Sequence, residues 1–102
     1  FGEVIPIRIT SGYRELSYNR SIESSDRSYH IWRMGGSTSH ADDSQAEYGK
    51  PLFAIDFYPV NFDIKRFFEW YKQWAGGECY YHSGKHFIHT APNADYKQPW
   101  EV

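Results

Sequence analysis

The sequence predicts an α+β fold, a small and mostly antiparallel sheet with a flanking helix. Three observations carry that prediction. Residues 4–10 and 52–58 alternate with period two, residues 62–74 repeat apolar side chains at helical spacing, and residues 78–82 and 86–90 are short strand-like runs joined by a turn. The 102 residues correspond to a single domain, 1–102, near the lower end of what can bury a useful core. Hydrophobic residues at 40% and aromatics at 20% supply the apolar surface that so short a chain needs.

From Val4 to Thr10, the residues Val4, Pro6, Arg8 and Thr10 alternate with Ile5, Ile7 and Ile9, which predicts a strand with one core face, ending at the turn signal Ser11-Gly12. Residues 17–28 are polar apart from Ile22 and read as a surface loop with a short helical turn. Apolar character returns at His30–Met34. Gly35-Gly36-Ser37-Thr38-Ser39 then breaks it, with His40 directly after the break. The polar, acidic stretch 41–50 reads as an exposed loop. Beyond Pro51 a strong strand, Leu52–Tyr58, sets Phe53, Ile55 and Phe57 on one face. Leu52, Ala54, Asp56 and Tyr58 share the other, so a lone carboxylate stands opposite a wholly apolar face.

Asn61 or Asp63 can cap a helix over about 62–74, where Ile64, Phe67, Phe68, Tyr71 and Trp74 form an apolar stripe. Gly76-Gly77 ends it. Glu78–His82 and His86–Thr90 form a hairpin around Ser83-Gly84-Lys85, and the tail after Pro92 is polar except for Trp100. No internal repeat is present.

The formal charge is -2, and no basic cluster exceeds the Lys65-Arg66 pair, which argues against nucleic acid or an anionic membrane as partner. No apolar run approaches a membrane span. No signal peptide is visible at the start of the chain. Cys79 is the sole cysteine, so any metal must be held by histidine and carboxylate.

Five histidines in so short a chain point to metal, and His82, His86 and His89 crowd around one turn. Any one of them taken alone reads as a surface or satisfied core histidine. That reading weakens when they are placed together: a catalytic zinc needs three nitrogen or oxygen ligands beside an open position, and the chain offers His40 after a glycine-rich turn, Asp56 on a strand and a histidine pair on a hairpin.

Four motifs resemble the zinc D-alanyl-D-alanine carboxypeptidases and dipeptidases, a family similar in fold to phage peptidoglycan endopeptidases and to the Hedgehog signalling domain. Ile9-Thr10-Ser11-Gly12-Tyr13-Arg14, with Asn19 beyond it, resembles the family's first strand and its Ser-Gly-Tyr-Arg end. Gly35 to His40 resembles the lead to the first zinc ligand, with Thr38 in place of a serine. Gly49 with Ala54-Ile55-Asp56 resembles the second ligand's motif, and the hairpin ending His86-Phe87-Ile88-His89 resembles the third's. The resemblance covers about residues 5–92.

The resemblance implies a Hedgehog-like peptidase fold and a zinc-dependent peptidase acting on peptidoglycan stem peptides, as a monomer, at the cell wall or encoded by a phage. It implies His40, Asp56 and His89 as metal ligands, His86 as general base, Arg14 as stabiliser of the carbonyl oxygen, and Thr38 as a substrate contact. A surface salt bridge is the plain alternative for Arg14, and turn capping for Thr38. Two departures stand out. The segment between His40 and Asp56 is longer than the family's, read as an insertion at 41–51 that leaves Asp43 as a competitor for Asp56. Strand geometry favours Asp56, since a strand fixes a carboxylate better than a loop does. Ala91 stands two positions after His89, where many relatives carry an acid. Tyr80, Tyr81 and Trp70 read as core more readily than as cleft. Two further readings compete, a cell-wall-binding module without catalysis and a self-contained His82, His86 and His89 metal cluster.

Overall fold

The computed structural model describes residues 2–22, 24, 28–31, 33–34 and 51–102, with Leu16, Arg33 and Met34 described by backbone only. The described residues form an α+β architecture of two sheets and two helices. In chain order the elements are β1 (Ile7–Ser11), α1 (Leu16–Ser21), β2 (Arg33–Met34), β3 (Pro51–Leu52), β4 (Ile55–Pro59), α2 (Ile64–Tyr71), β5 (Glu78–His82), β6 (Phe87–Ala91) and β7 (Trp100–Glu101). The larger sheet has the order β1-β4-β6-β5-β7, and β2 pairs with β3 in a separate two-stranded ribbon. All pairings in the larger sheet are antiparallel except the last, where β7 runs parallel to β5.

The helix forms because Ile64, Phe67 and Phe68 recur at helical spacing and are buried on the sheet. Of the two candidate caps, Asp63 is the one used: its Oδ1 accepts the Arg66 N–H at 2.7 Å. Asn61 instead takes a left-handed turn at φ 53 just ahead of the helix. Regular helix ends at Tyr71, short of the expected Trp74, and the last turn closes through Trp74 N–H and Ala75 N–H to the Tyr71 carbonyl. The core on this side joins Phe57, Ile64, Phe67, Phe68, Cys79, Tyr81 and Ile88.

The first strand departs from expectation. It begins at Ile7, and neither face is core: Ile7 and Ile9 are 46% and 57% exposed. The reason is its place at the sheet edge, beside β4, while α2 packs over β4 and β6. Only Ile5, ahead of the strand, packs against the core. Toward its end the pairing with β4 slips, Ile9 opposing Phe57 but Ser11 opposing Asp56, so Thr10 is an extra residue. Its hydroxyl donates to the Asp56 carbonyl at 3.3 Å. Such a bulge bends the strand and redirects the chain beyond it, here the turn that carries Arg14.

In the hairpin, β5 matches the expected run and β6 begins one residue later than expected, because His86 takes φ 58 and belongs to the turn. The parallel pairing of Trp100 with Tyr80 has no local sequence signal. None of the described helices is long and apolar enough to cross a membrane.

Candidate functional site

Cross-strand pairing aligns Asp56 with His89 and His89 with Tyr80 on three neighbouring strands. Paired residues of a ladder share a face. These three therefore stand together on the face away from α2, and Glu78 joins them, two residues along from Tyr80 on β5. Over this face lies His30, whose carbonyl accepts the Arg14 N–H at 2.8 Å, so the segment carrying His30 is tied to the turn after the bulge.

The polar contacts converge on one oxygen. Asp56 Oδ1 is 2.9 Å from His89 Nδ1 and 3.2 Å from His30 Nε2. Each imidazole is anchored by its other nitrogen: His30 Nδ1 lies 2.9 Å from the Gly12 carbonyl oxygen and His89 Nε2 lies 2.8 Å from Glu78 Oε1. Carbonyl and carboxylate oxygens only accept, so all four ring nitrogens face acceptors, the outer two Gly12 and Glu78 and the inner two Asp56. With the outer nitrogens as donors, a neutral ring would turn a lone pair toward Asp56 Oδ1, an arrangement that a cation would complete. His30, Asp56 and His89 are 4%, 7% and 5% exposed, and one ligand atom from each lies within 4.8 Å of the others. It is the one such group of His, Cys, Asp or Glu found among the described residues.

The same contacts shift the titration of Asp56, His89 and Glu78. Burial raises the Asp56 carboxyl, but hydrogen bonds and charge from His30 and His89 outweigh it and bring the group down to about 2. For His89 burial favours the neutral ring, and the contacts with Asp56 and Glu78 outweigh that to raise it above its ordinary value. Burial also raises Glu78, while His89 and Lys97 reverse the direction and leave it lowered. Burial, with the negative Asp56 and Glu78 nearby, pushes the Tyr80 phenol up to about 12, so it stays protonated.

A cavity of about 750 Å³ opens over these groups, and its lining includes Arg14, His30, Asp56, Tyr80, Phe87 and His89. Arg14 is held by Ser11 Oγ at 3.2 Å, Asn19 Oδ1 at 3.3 Å and Ser24 Oγ at 3.5 Å, and its Nη2 is 3.9 Å from Asp56 Oδ2. Asn19 is fully buried.

Of the residues expected from the sequence, Asp56, His89 and Arg14 therefore come together. His40, Thr38 and Asp43 lie outside the described residues. His86 is exposed in the β5–β6 turn with its ring 5.9 Å from that of Tyr58, and it is not among the described residues lining the cavity. His82 lines the cavity but stacks on Phe87, with its Nδ1 accepting the Lys85 N–H at 3.0 Å. Tyr81 is in the core against Phe68, Trp70 lies on the helix at 40% exposure, and Tyr80 lines the cavity, stacked on His89.

Sequence reasoning did not single out His30 or Glu78. Nothing local marks His30, which opens an apolar run. Glu78 had a signal: an in-register hairpin puts it across from Ala91, on the face of His89. A carboxylate does meet His89, but from the neighbouring strand. Compared with protein-family models, with curated proteins and with solved structures, the chain matches none.

Proposed function

We propose that this chain is a zinc-dependent peptidase acting on bacterial peptidoglycan stem peptides, with His30, Asp56 and His89 as the metal ligands. The single observation that carries the metal is the convergence of two imidazole nitrogens on Asp56 Oδ1, each ring anchored from behind by an acceptor. Metal-ligating histidines characteristically donate their other N–H to a carbonyl or carboxylate. Two imidazoles and one carboxylate also form a donor set suited to catalytic zinc, which when bound this way activates water near neutral pH and polarises a carbonyl.

The chain's own residues account for the rest. Arg14, fixed by three side-chain oxygens, presents a permanent positive charge to the cavity where the oxygen of a scissile carbonyl gains charge. The stem-peptide substrate, the finer Hedgehog-like fold and the general-base role of His86 rest on the four sequence motifs. His30 stands beside Asp56 in the role that the motifs suggest for His40.

The test is zinc analysis of the purified chain together with digestion of muropeptides followed by mass spectrometry. The expected result is stoichiometric zinc and cleavage, both lost in His89→Ala while the fold persists. Full cleavage by that variant would end the proposal. The exposed position of His86, turned toward Tyr58, favours a second reading, a wall-binding module that keeps the ion without cutting. Zinc uptake and sacculus binding with intact muropeptides would select it.

A further inference from the structure

For a metal-binding imidazole, the partner of the outer nitrogen decides the tautomer, and with it the atom left for the ion. In His30 that partner is a neutral backbone carbonyl. In His89 it is a charged side chain from the next strand, Glu78 Oε1 at 2.8 Å from Nε2. A carboxylate only accepts, and His89 lies between two of them, with Nδ1 2.9 Å from Asp56 Oδ1; an ion on Nδ1 would leave the ring's proton on Nε2, where Glu78 can accept it.

Glu78 is itself built into position. Gly77 precedes it at φ 59, and a Cβ there would lie 2.1 Å from the Ala91 carbonyl oxygen, so glycine alone lets β5 start this close to the end of β6. That close start pairs Glu78 with Ala91. Lys97 closes the arrangement twice over, its N–H donating to the Gly77 carbonyl at 3.0 Å and its Nζ lying 3.4 Å from Glu78 Oε2. The ring of His89 is also held flat: Tyr80 stacks on it at 4.6 Å and 15°, and Trp100 stacks on Tyr80 at 4.9 Å.

We infer that Glu78 is a positioning residue, which accepts the Nε2–H of His89 and so reserves Nδ1 for the metal, with Lys97 holding Glu78 in place. This rests on the metal-centre reading above. It assigns to β5 a part in metal binding although none of its residues is a ligand.

The experiment uses the full chain loaded with Zn²⁺. Nitrogen-15 NMR of histidine-labelled protein is expected to find His89 protonated at Nε2 and bound through Nδ1. Zn²⁺ affinity is then measured at one pH by competition with a chromophoric chelator. Glu78→Ala is expected to weaken binding by about 10–100-fold. The isosteric Glu78→Gln, which keeps an acceptor oxygen, should lose less, and Lys97→Met less again. Coordination through Nε2 in the unaltered protein, or undiminished affinity in Glu78→Ala, would overturn the inference while leaving the metal centre intact. Failure of the unaltered chain to take up zinc would overturn both.

Discussion

The two faces of the same three strands, β4, β5 and β6, differ in almost every respect. On the α2 side, Phe57, Cys79, Tyr81 and Ile88 pack with Phe67 and Phe68, and Thr90 Oγ1 and Tyr71 Oη share a hydrogen bond of 2.9 Å. On the other side, one residue along each strand, the buried Asp56 and His89 and the half-buried Glu78 form a polar network under His30 and Arg14, with Tyr80 stacked on His89. Alternation with period two lets one segment of chain do both jobs. The apolar face supplies the favourable transfer energy, and the stiffness it gives the sheet holds the charged groups in register on the reverse.

Four measurements would break or sharpen this contrast. The largest stability effect belongs to the apolar face: Phe68→Ala, at a position 1% exposed, should cost about 3–5 kcal/mol in urea unfolding. A small loss would mean that α2 is not the main source of stability. Next, His30→Ala should abolish stoichiometric zinc binding, by metal analysis after dialysis, while costing the metal-free protein much less stability than Phe68→Ala does. Retained zinc would remove His30 from the centre and turn attention to His40.

A third effect is the pH dependence of the metal-free protein. Asp56 is lowered from 3.8 to about 2, so its contribution is complete above 3.8 and disappears as pH falls toward 2. His89 is raised above 6.5, so its contribution is complete below 6.5 and disappears as pH rises through the folded value. The polar network should therefore contribute most between these limits. Urea midpoints against pH, compared with those of Asp56→Asn, check it: identical profiles for the two proteins would count against the network. The smallest effect lies on neither face. Lys65 and Glu101 pair at 2.8 Å on the surface, and Lys65→Met should leave the thermal midpoint within error.

The contrast between the faces was legible around Asp56 and in the hairpin, whose turn residues imply antiparallel register, but the expected strand Leu52–Tyr58 is divided between β3, which ends at Leu52 in the smaller sheet, and β4, which starts at Ile55 in the larger. The helix was legible for the same reason, a stripe at 3.6 spacing with two candidate caps, Asn61 and Asp63, ahead of it. Arg14 was marked by its motif. The edge position of β1 was not, since alternation identifies a strand without saying what covers it, and so its isoleucines read as core. His30 was illegible because a backbone hydrogen bond to Arg14, sixteen residues earlier, brings it over Asp56.

Local pattern was thus enough to establish the main strand segments, the helix, the hairpin and the choice of histidine and carboxylate over cysteine for any metal, because periodicity and turn chemistry act between near neighbours in the chain. The partners of Asp56, the reach of Glu78 to His89 and the stack of Trp100 on Tyr80 depend instead on strand order and on a bulge at Thr10. Those are set by which surfaces bury one another across long stretches of chain, and no window of sequence contains both sides of such a contact.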